Sequence, residues 1–342
     1  MANHTLGNFV HQPRTPLVEQ ETPLQRLPNL TAHLRGATLF VKRDDCTSLA
    51  MGGNKARQLE YYMGDAARHG ADTILITGAV QSNFVRLAAA AARKARMDIH
   101  VQLEERVPRD DHAYRHSGNV LLDRLFGATI HSYPVGEDES GADLRLEEIA
   151  ASLRANGRSP YVIHLGMSYP PLGALGYIRA AAELLEQCRC AQVDIDEVVV
   201  ASGSGQTHAG LLFGLRALGA RSRVTGICVR RNREAQADRI AEHCTRIAGM
   251  LDIANPVSTG DIVLNDEFLS PGYGQLNPAT LEAIRLAARH DALLVDPVYT
   301  GKTLAGAMQR VSALDRAANL VFVHTGGTPA LFGYEPTLTE AA

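Results

Sequence analysis

Gly52-Gly53-Asn54-Lys55-Ala56-Arg57 is the stretch on which the reading of the fold turns. It follows a strand-like segment, Thr38-Leu39-Phe40-Val41-Lys42, and the polar Arg43-Asp44-Asp45, and it precedes a helix-like segment from Gln58 to Arg68. Two adjacent glycines, neither with a Cβ, let the backbone pass close to another body. A lysine just past them sits at the mouth of a helix. Amides and the helix dipole there favour anions and lower the cost of a neutral amine. A neutral lysine amine forms a Schiff base with an aldehyde. On this run alone, an ordinary surface lysine at a helix start fits as well.

Outward from Lys55 the pattern alternates. Ile74 to Thr77, Ile99 to Leu103, Thr129 to His131 and Tyr161 to Ile163 read as strands. Between them Val85 to Lys94, Val120 to Phe126 and Leu144 to Ala155 read as helices. The second half repeats this, with strands at Val198 to Val200, Val224 to Val229, Leu293 to Val295 and Leu320 to Val323. Helices at Leu175 to Cys188, Thr207 to Leu218, Ala235 to Leu251, Ala279 to Arg289 and Thr303 to Val311 separate them. Such alternation predicts an α/β protein whose parallel sheet is covered on both faces. Residues 1–37 read as a mostly irregular lead-in, and Pro134 to Asp143 as an exposed loop.

Composition narrows the class. With 342 residues, 45% hydrophobic and 21% charged, the chain is globular and long enough for two domains. A net charge of −3 without a basic block argues against a nucleic-acid partner. No apolar run approaches a membrane span, and Met1 to Gln12 does not read as a secretory signal. Five cysteines at irregular spacing point to a reduced, cytoplasmic protein without a metal site.

Several turns after strands carry chemistry. Gln81-Ser82-Asn83 lies between a strand and a helix, where ligands bind in parallel sheets; simple helix capping by Ser82 is the alternative. Ser202-Gly203-Ser204-Gly205-Gln206-Thr207 makes an amide nest for a phosphate, but it has neither the Walker nor the dinucleotide spacing. Asp296 to Lys302 presents Tyr299, able to stack on a flat ring or act as an acid, and Thr300, able to donate a hydrogen bond. His324-Thr325-Gly326-Gly327-Thr328 is a further glycine turn, and Ser270 to Gly274 a rigid turn presenting Tyr273. Each has an ordinary structural alternative, as a turn or a packed tyrosine.

Together these runs resemble the 1-aminocyclopropane-1-carboxylate deaminase / D-cysteine desulfhydrase family of pyridoxal-phosphate enzymes. The matching stretches are VKRDDCTSLAMGGNKARQLE, TGAVQSNFVRLAAAAARK, SGSGQTHAGL, LSPGYGQLN, DPVYTGKTLAGAM and VFVHTGGTPALFGY, spread over residues 41–334. The resemblance implies the tryptophan-synthase-β-like fold (fold type II), two α/β domains with pyridoxal 5'-phosphate between them. The expected division is 1–51 with 161–342 as the larger domain, carrying the phosphate loop, and 52–160 as the smaller, carrying Ser82. The resemblance also implies residue roles. Lys55 holds the cofactor, Ser82 lies beside the reacting carbon and Asn83 near the ring's 3-hydroxyl. Gly203, Ser204, Gly205, Gln206 and Thr207 cup the phosphate, with Thr325 also in the cofactor set. Tyr299 and Tyr273 face cofactor and substrate, and Gln81 and Thr328 join Ser82 and Asn83 on the substrate side.

Thr300 stands where the deaminases carry Glu on the pyridine nitrogen, and Thr328 where they tend to carry Leu. A neutral hydroxyl makes the ring a weaker electron sink, which suits β-elimination better than cyclopropane opening. Phe84 and Gln58 depart from the desulfhydrase pattern, which has His and Lys there, and Gly166-Met167-Ser168 departs from its Gly-Gly-Ser. The expected activity is α,β-elimination on a small sulfur amino acid, D-cysteine first, in a cytoplasmic homodimer. The alternatives are L-cysteate sulfo-lyase, 1-aminocyclopropane-1-carboxylate deaminase, and, in a different class, a non-catalytic phospholigand-binding protein. A dinucleotide oxidoreductase lacks the required glycine spacing.

Overall fold

The computed structural model describes residues 6–340, so Met1 to Thr5, the start of the expected larger domain, and the last two residues lie outside the description. Ten strands are present among the described residues: β1 Leu24–Arg26, β2 Thr38–Lys42, β3 Thr73–Ala79, β4 Asp98–Glu104, β5 Thr129–Tyr133, β6 Pro160–Ile163, β7 Glu197–Ser202, β8 Arg223–Cys228, β9 Val263–Asn265 and β10 Asn319–Val323. They form two sheets. The larger runs β1-β2-β10-β7-β8-β9 and the smaller β5-β4-β3-β6. Every pairing is parallel except β1 on β2, an antiparallel edge.

The apolar runs form strands because they are covered on both faces. All seven residues of β3 and all six of β7 are buried, as a parallel strand under helices requires. The alanine-rich helix Asn83–Lys94 is buried from Asn83 through Ala92. Small side chains let it pack closely against β3, β4 and the helices Lys55–Arg68 and Gly118–Leu125. The carboxyl ends of β3, β4, β7, β8 and β10, drawn from both sheets, open toward one pocket.

Three expectations need correction, and one strand was not foreseen. Leu293 to Val295 is not a strand. Leu293 donates to Ala287 O, Leu294 O accepts from His324, and Asp296 N donates to Thr300 Oγ1, so caps and side chains replace the ladder. β6 starts at Pro160 and pairs with β3, so a boundary between 160 and 161 would cut a strand of the smaller sheet. Pro134 to Asp143 is not all loop, because the helix Glu139–Ala155 begins inside it, capped by Asp138 accepting from Gly141 N. The short β9 was not among the expected strands, although Ile262-Val263-Leu264 is as long an apolar run as Val198 to Val200; it takes its place by pairing with β8.

Candidate active site

Lys55 opens the helix Lys55–Arg68. The turn before it is held by close backbone approaches. Gly53 N donates to Asp44 O, Asn54 N donates to Thr325 O, and Gly52 has φ +68 with no room for a Cβ beside Asp45 O. The lysine Nζ donates to Gln58 Oε1 at 3.1 Å and lies 4.6 Å from the centre of the Phe84 ring. No carboxylate pairs with it among the described residues. Burial alone pulls its pKa from the ordinary lysine value to about 7. The chain has three other lysines. Lys42 is bound to Glu183, Lys94 pairs with Glu19 at the surface, and Lys302 donates to the carbonyls of Leu269 and Gly272. Lys55 is therefore the lysine that combines a lowered pKa with a place in the pocket wall.

Opposite Lys55 stands the start of the helix Gln206–Ala217. Its N-cap is Gly205 at φ +95, and no side chain caps it. By contrast Ser82, Asn232 and Asn277 cap their helices with side-chain oxygens. An uncapped first turn leaves backbone N–H groups open to an anion. The loop's carbonyls are drawn away from the pocket. Arg231 donates to Gly203 O, while Arg239 and His243 bind Ser204 O. Burial takes the His243 pKa down to about 4, so the ring is neutral at pH 7 and Nε2 carries the hydrogen. Thr207 Oγ1 accepts from both Asn54 and Gln58, at 2.8 and 2.7 Å, so its own hydrogen is free for a ligand. A Cβ at Gly203 would come within 3.6 Å of the Tyr299 ring and narrow the cradle.

The third wall comes from the β3 turn and the two tyrosines. Ser82 Oγ accepts from Val85 N, so it caps its helix and lines the pocket at once. Asn83 Oδ1 accepts from Asn119, which leaves its amide nitrogen free to donate elsewhere. The Tyr273 and Tyr299 hydroxyls are 2.5 Å apart, with the rings edge-on. Burial first, and then the neighbouring Tyr273, holds the Tyr299 pKa well above the tyrosine norm, so the pair keeps its protons. The space between these walls, open mouth included, is about 840 Å³.

Ten of the expected residues line this pocket: Lys55, Ser82, Asn83, Gly203, Ser204, Gly205, Thr207, Tyr273, Tyr299 and Thr325. Four do not. Gln81 is spent on structure, donating to Tyr114 O and Ser117 O and accepting from Asn119 N. Gln206 accepts from Tyr62, across from the pocket. Thr300 is fully buried, its hydroxyl bound to Asp296, whose carboxylate also caps the helix after it. Thr328 belongs to the turn behind the wall, where its carbonyl accepts from Leu331 N. Gln58 and Phe84, two of the three departures noted in the sequence, both touch the Lys55 amine.

Sequence reasoning missed a set of charged groups. Arg106, Glu139, Arg230 and Arg239 line the same pocket. Arg230, Arg231 and Arg239 all donate to Glu139. Against burial, which raises it, Arg239, Arg231 and Arg230 hold the Glu139 carboxyl below its usual pKa. Burial and the crowding of Arg239 and Arg230 take Arg231 down to about 10. The available signal was position: Arg106 follows β4 and Arg230 follows β8, both at strand carboxyl ends.

Comparison with known proteins places this geometry. A family model described as pyridoxal-phosphate dependent enzyme matches residues 16–326. The D-cysteine desulfhydrase of Klebsiella pneumoniae is 41% identical over 336 residues, which are 98% of this chain and 100% of that protein. The crystal structure of an ACC deaminase homologue superposes with a TM-score of 0.88 at 33% identity, covering 100% of this chain and 99% of the other. O-ureido-L-serine synthase, at a TM-score of 0.66 and 16% identity over 98% and 94% of the two chains, shares the fold alone.

Proposed function

The chain belongs to the pyridoxal-phosphate dependent enzyme family, with its fold type II α/β architecture, and from that premise we propose that it is a lyase performing α,β-elimination on a small sulfur amino acid such as D-cysteine. D-cysteine and one water would give pyruvate, sulfide and ammonia. The observation that carries this reading is Lys55, an amine without a carboxylate partner, in one pocket with an uncapped helix start.

The residues fit the cofactor. Lys55 would hold its aldehyde, the amides of Gly205 to Thr207 with the Thr207 hydroxyl would hold its phosphate, and Asn83 and Tyr299 would flank its ring. Pyridoxal phosphate, when bound, draws electrons away from the substrate's α-carbon. The protein supplies the rest. At the start of the helix Asn83–Lys94 the Ser82 cap is spent on Val85 N, and the first-turn amides it leaves uncapped, beside Ser82, would seat the substrate carboxylate. Lys55, whose amine burial brings to a pKa of about 7 so that a large share is unprotonated there, takes the proton from the α-carbon. Tyr299, protonated and bonded to Tyr273, is placed to donate a proton to the departing sulfur. The likeness in sequence to a named D-cysteine desulfhydrase supports elimination over ring opening.

The reading includes a cytoplasmic homodimer. Five free cysteines suit a reducing compartment, and Leu121 and Leu125, exposed one turn apart on the helix Gly118–Leu125, offer a surface for a second copy. No described helix is long and apolar enough to cross a membrane.

The test is a substrate panel on protein loaded with pyridoxal phosphate: D- and L-cysteine, cysteate, 3-chloroalanine and the cyclopropane amino acid. Pyruvate from a β-substituted substrate is expected. Turnover confined to the cyclopropane, read as 2-oxobutanoate, would replace elimination with ring opening.

A further inference from the structure

The guanidinium of Arg230 is in an unusual position. It forms part of the pocket wall, its side chain is only 7% exposed, and its Nη2 is buried with no hydrogen-bond partner. Its other nitrogens are engaged, Nε with Glu137 and Nη1 with Glu139. Across the same pocket Arg106 gives Nε and Nη2 to the buried Glu104, and its Nη1 meets no acceptor among the described residues. Four guanidiniums, Arg106, Arg230, Arg231 and Arg239, face three carboxylates, Glu104, Glu137 and Glu139. One positive charge is left over, and Lys55 adds no negative one.

A desolvated N–H of a charged group without an acceptor is costly, and at Arg230 it belongs to a pocket wall, where a ligand can supply the acceptor. The amides of the Gln206 turn and the Thr207 hydroxyl are already available for a phosphate, and the open amides beside Ser82 for an α-carboxylate. Arg230 and Arg106 remain beyond both requirements. We infer that the pocket reads a second anionic group on its substrate, an acidic substituent at the β-carbon such as a sulfonate or carboxylate, through Arg230 with support from Arg106. The inference rests on the elimination reading and narrows it: a neutral thiol leaves Arg230 unmatched, whereas an acidic β-substituent matches it. The same guanidinium chemistry could instead serve the cofactor's phosphate, and the experiment separates the two.

Aspartate and asparagine have nearly the same shape and differ in charge. Each, in both enantiomers, is titrated into the pyridoxal-phosphate-loaded protein and followed by the change in cofactor absorbance, which needs no turnover. Aspartate of one hand is expected to bind at least about tenfold tighter than the matching asparagine, as a charge-assisted pair contributes. In Arg230→Gln that preference is expected to vanish with asparagine binding unchanged, and in Arg230→Lys to survive in part. Equal binding of aspartate and asparagine by the unmodified protein overturns the inference whatever the variants do. An equal loss for both ligands in Arg230→Gln, with weaker retention of pyridoxal phosphate on dialysis, would assign Arg230 to the cofactor instead. If no amino acid of any kind changes the absorbance, the elimination reading falls and the inference falls with it.

Discussion

Two residues apart in one run, Lys55 and Arg57 are both basic side chains, the first half-buried and the second buried, and their surroundings are opposite. Arg57 donates from all three nitrogens to Asp44 and Glu183, and one of them also to Thr22. Around it Lys42 binds Glu183 and Gln187, and Tyr177 donates to Asp44 at 2.5 Å. This cluster joins β2 to the helices Lys55–Arg68 and Ala174–Ala191. Every polar atom in it has a partner. Lys55 has one neutral partner and an aromatic ring. A closed ion cluster stabilises an arrangement; a desolvated amine left open is available for chemistry.

The contrast is broken most forcefully at Lys55. Lys55→Ala should lower elimination by more than about a thousandfold, since it removes both the cofactor's anchor and the base. Its melting temperature should stay the same or rise, because a desolvated amine is lost. A large drop in melting temperature would place Lys55 in the structural class with Arg57. Arg57→Met should do the reverse. Leaving Asp44 and Glu183 buried without their cation costs about 3–5 kcal/mol, read as a lower urea midpoint. Undiminished stability in Arg57→Met would show that the closed cluster is ornamental.

A pH series sharpens the same contrast. The Lys55 pKa is depressed in the folded protein to about 7, so between pH 7 and the ordinary lysine value the unfolded chain binds more protons. The penalty is fully present below pH 7 and is relieved as pH rises. Cofactor-free protein should therefore gain stability from pH 7 to 10 relative to Lys55→Met, measured by urea unfolding at each pH. Parallel curves for the two would mean that the amine is solvated. The smallest expected effect is at Ser82. Ser82→Ala removes a side-chain cap and should cost about 1 kcal/mol in stability, visible as a shift of about one to two degrees in melting temperature.

Much of this was legible in the sequence for a physical reason. Parallel strands buried on both faces are unbroken apolar runs, and the glycine turns after them mark where a ligand approaches. Lys55, Ser82, Gly203 to Gly205, Thr207 and both tyrosines sit at such turns, and all line the pocket. Gln81 and Gln206 sit at the same turns but face away, since adjacent residues at a helix start point in different directions. Thr300, expected in the cofactor set, lies outside the pocket wall, its hydroxyl bound to Asp296 four residues earlier. The arginines escaped notice because their role depends on which carboxylates they meet. Glu139, Arg230 and Arg239 come from distant segments, and nothing local in the chain shows that Arg230 keeps one nitrogen unmatched.

The most direct measurement is to load the protein with pyridoxal phosphate, reduce it with borohydride, digest it and locate the modified lysine among the four by mass spectrometry. The account predicts the reduced cofactor on the peptide containing Lys55 and on no other. Modification of Lys302 or Lys42, or no modification at all in a protein that still eliminates, would contradict it.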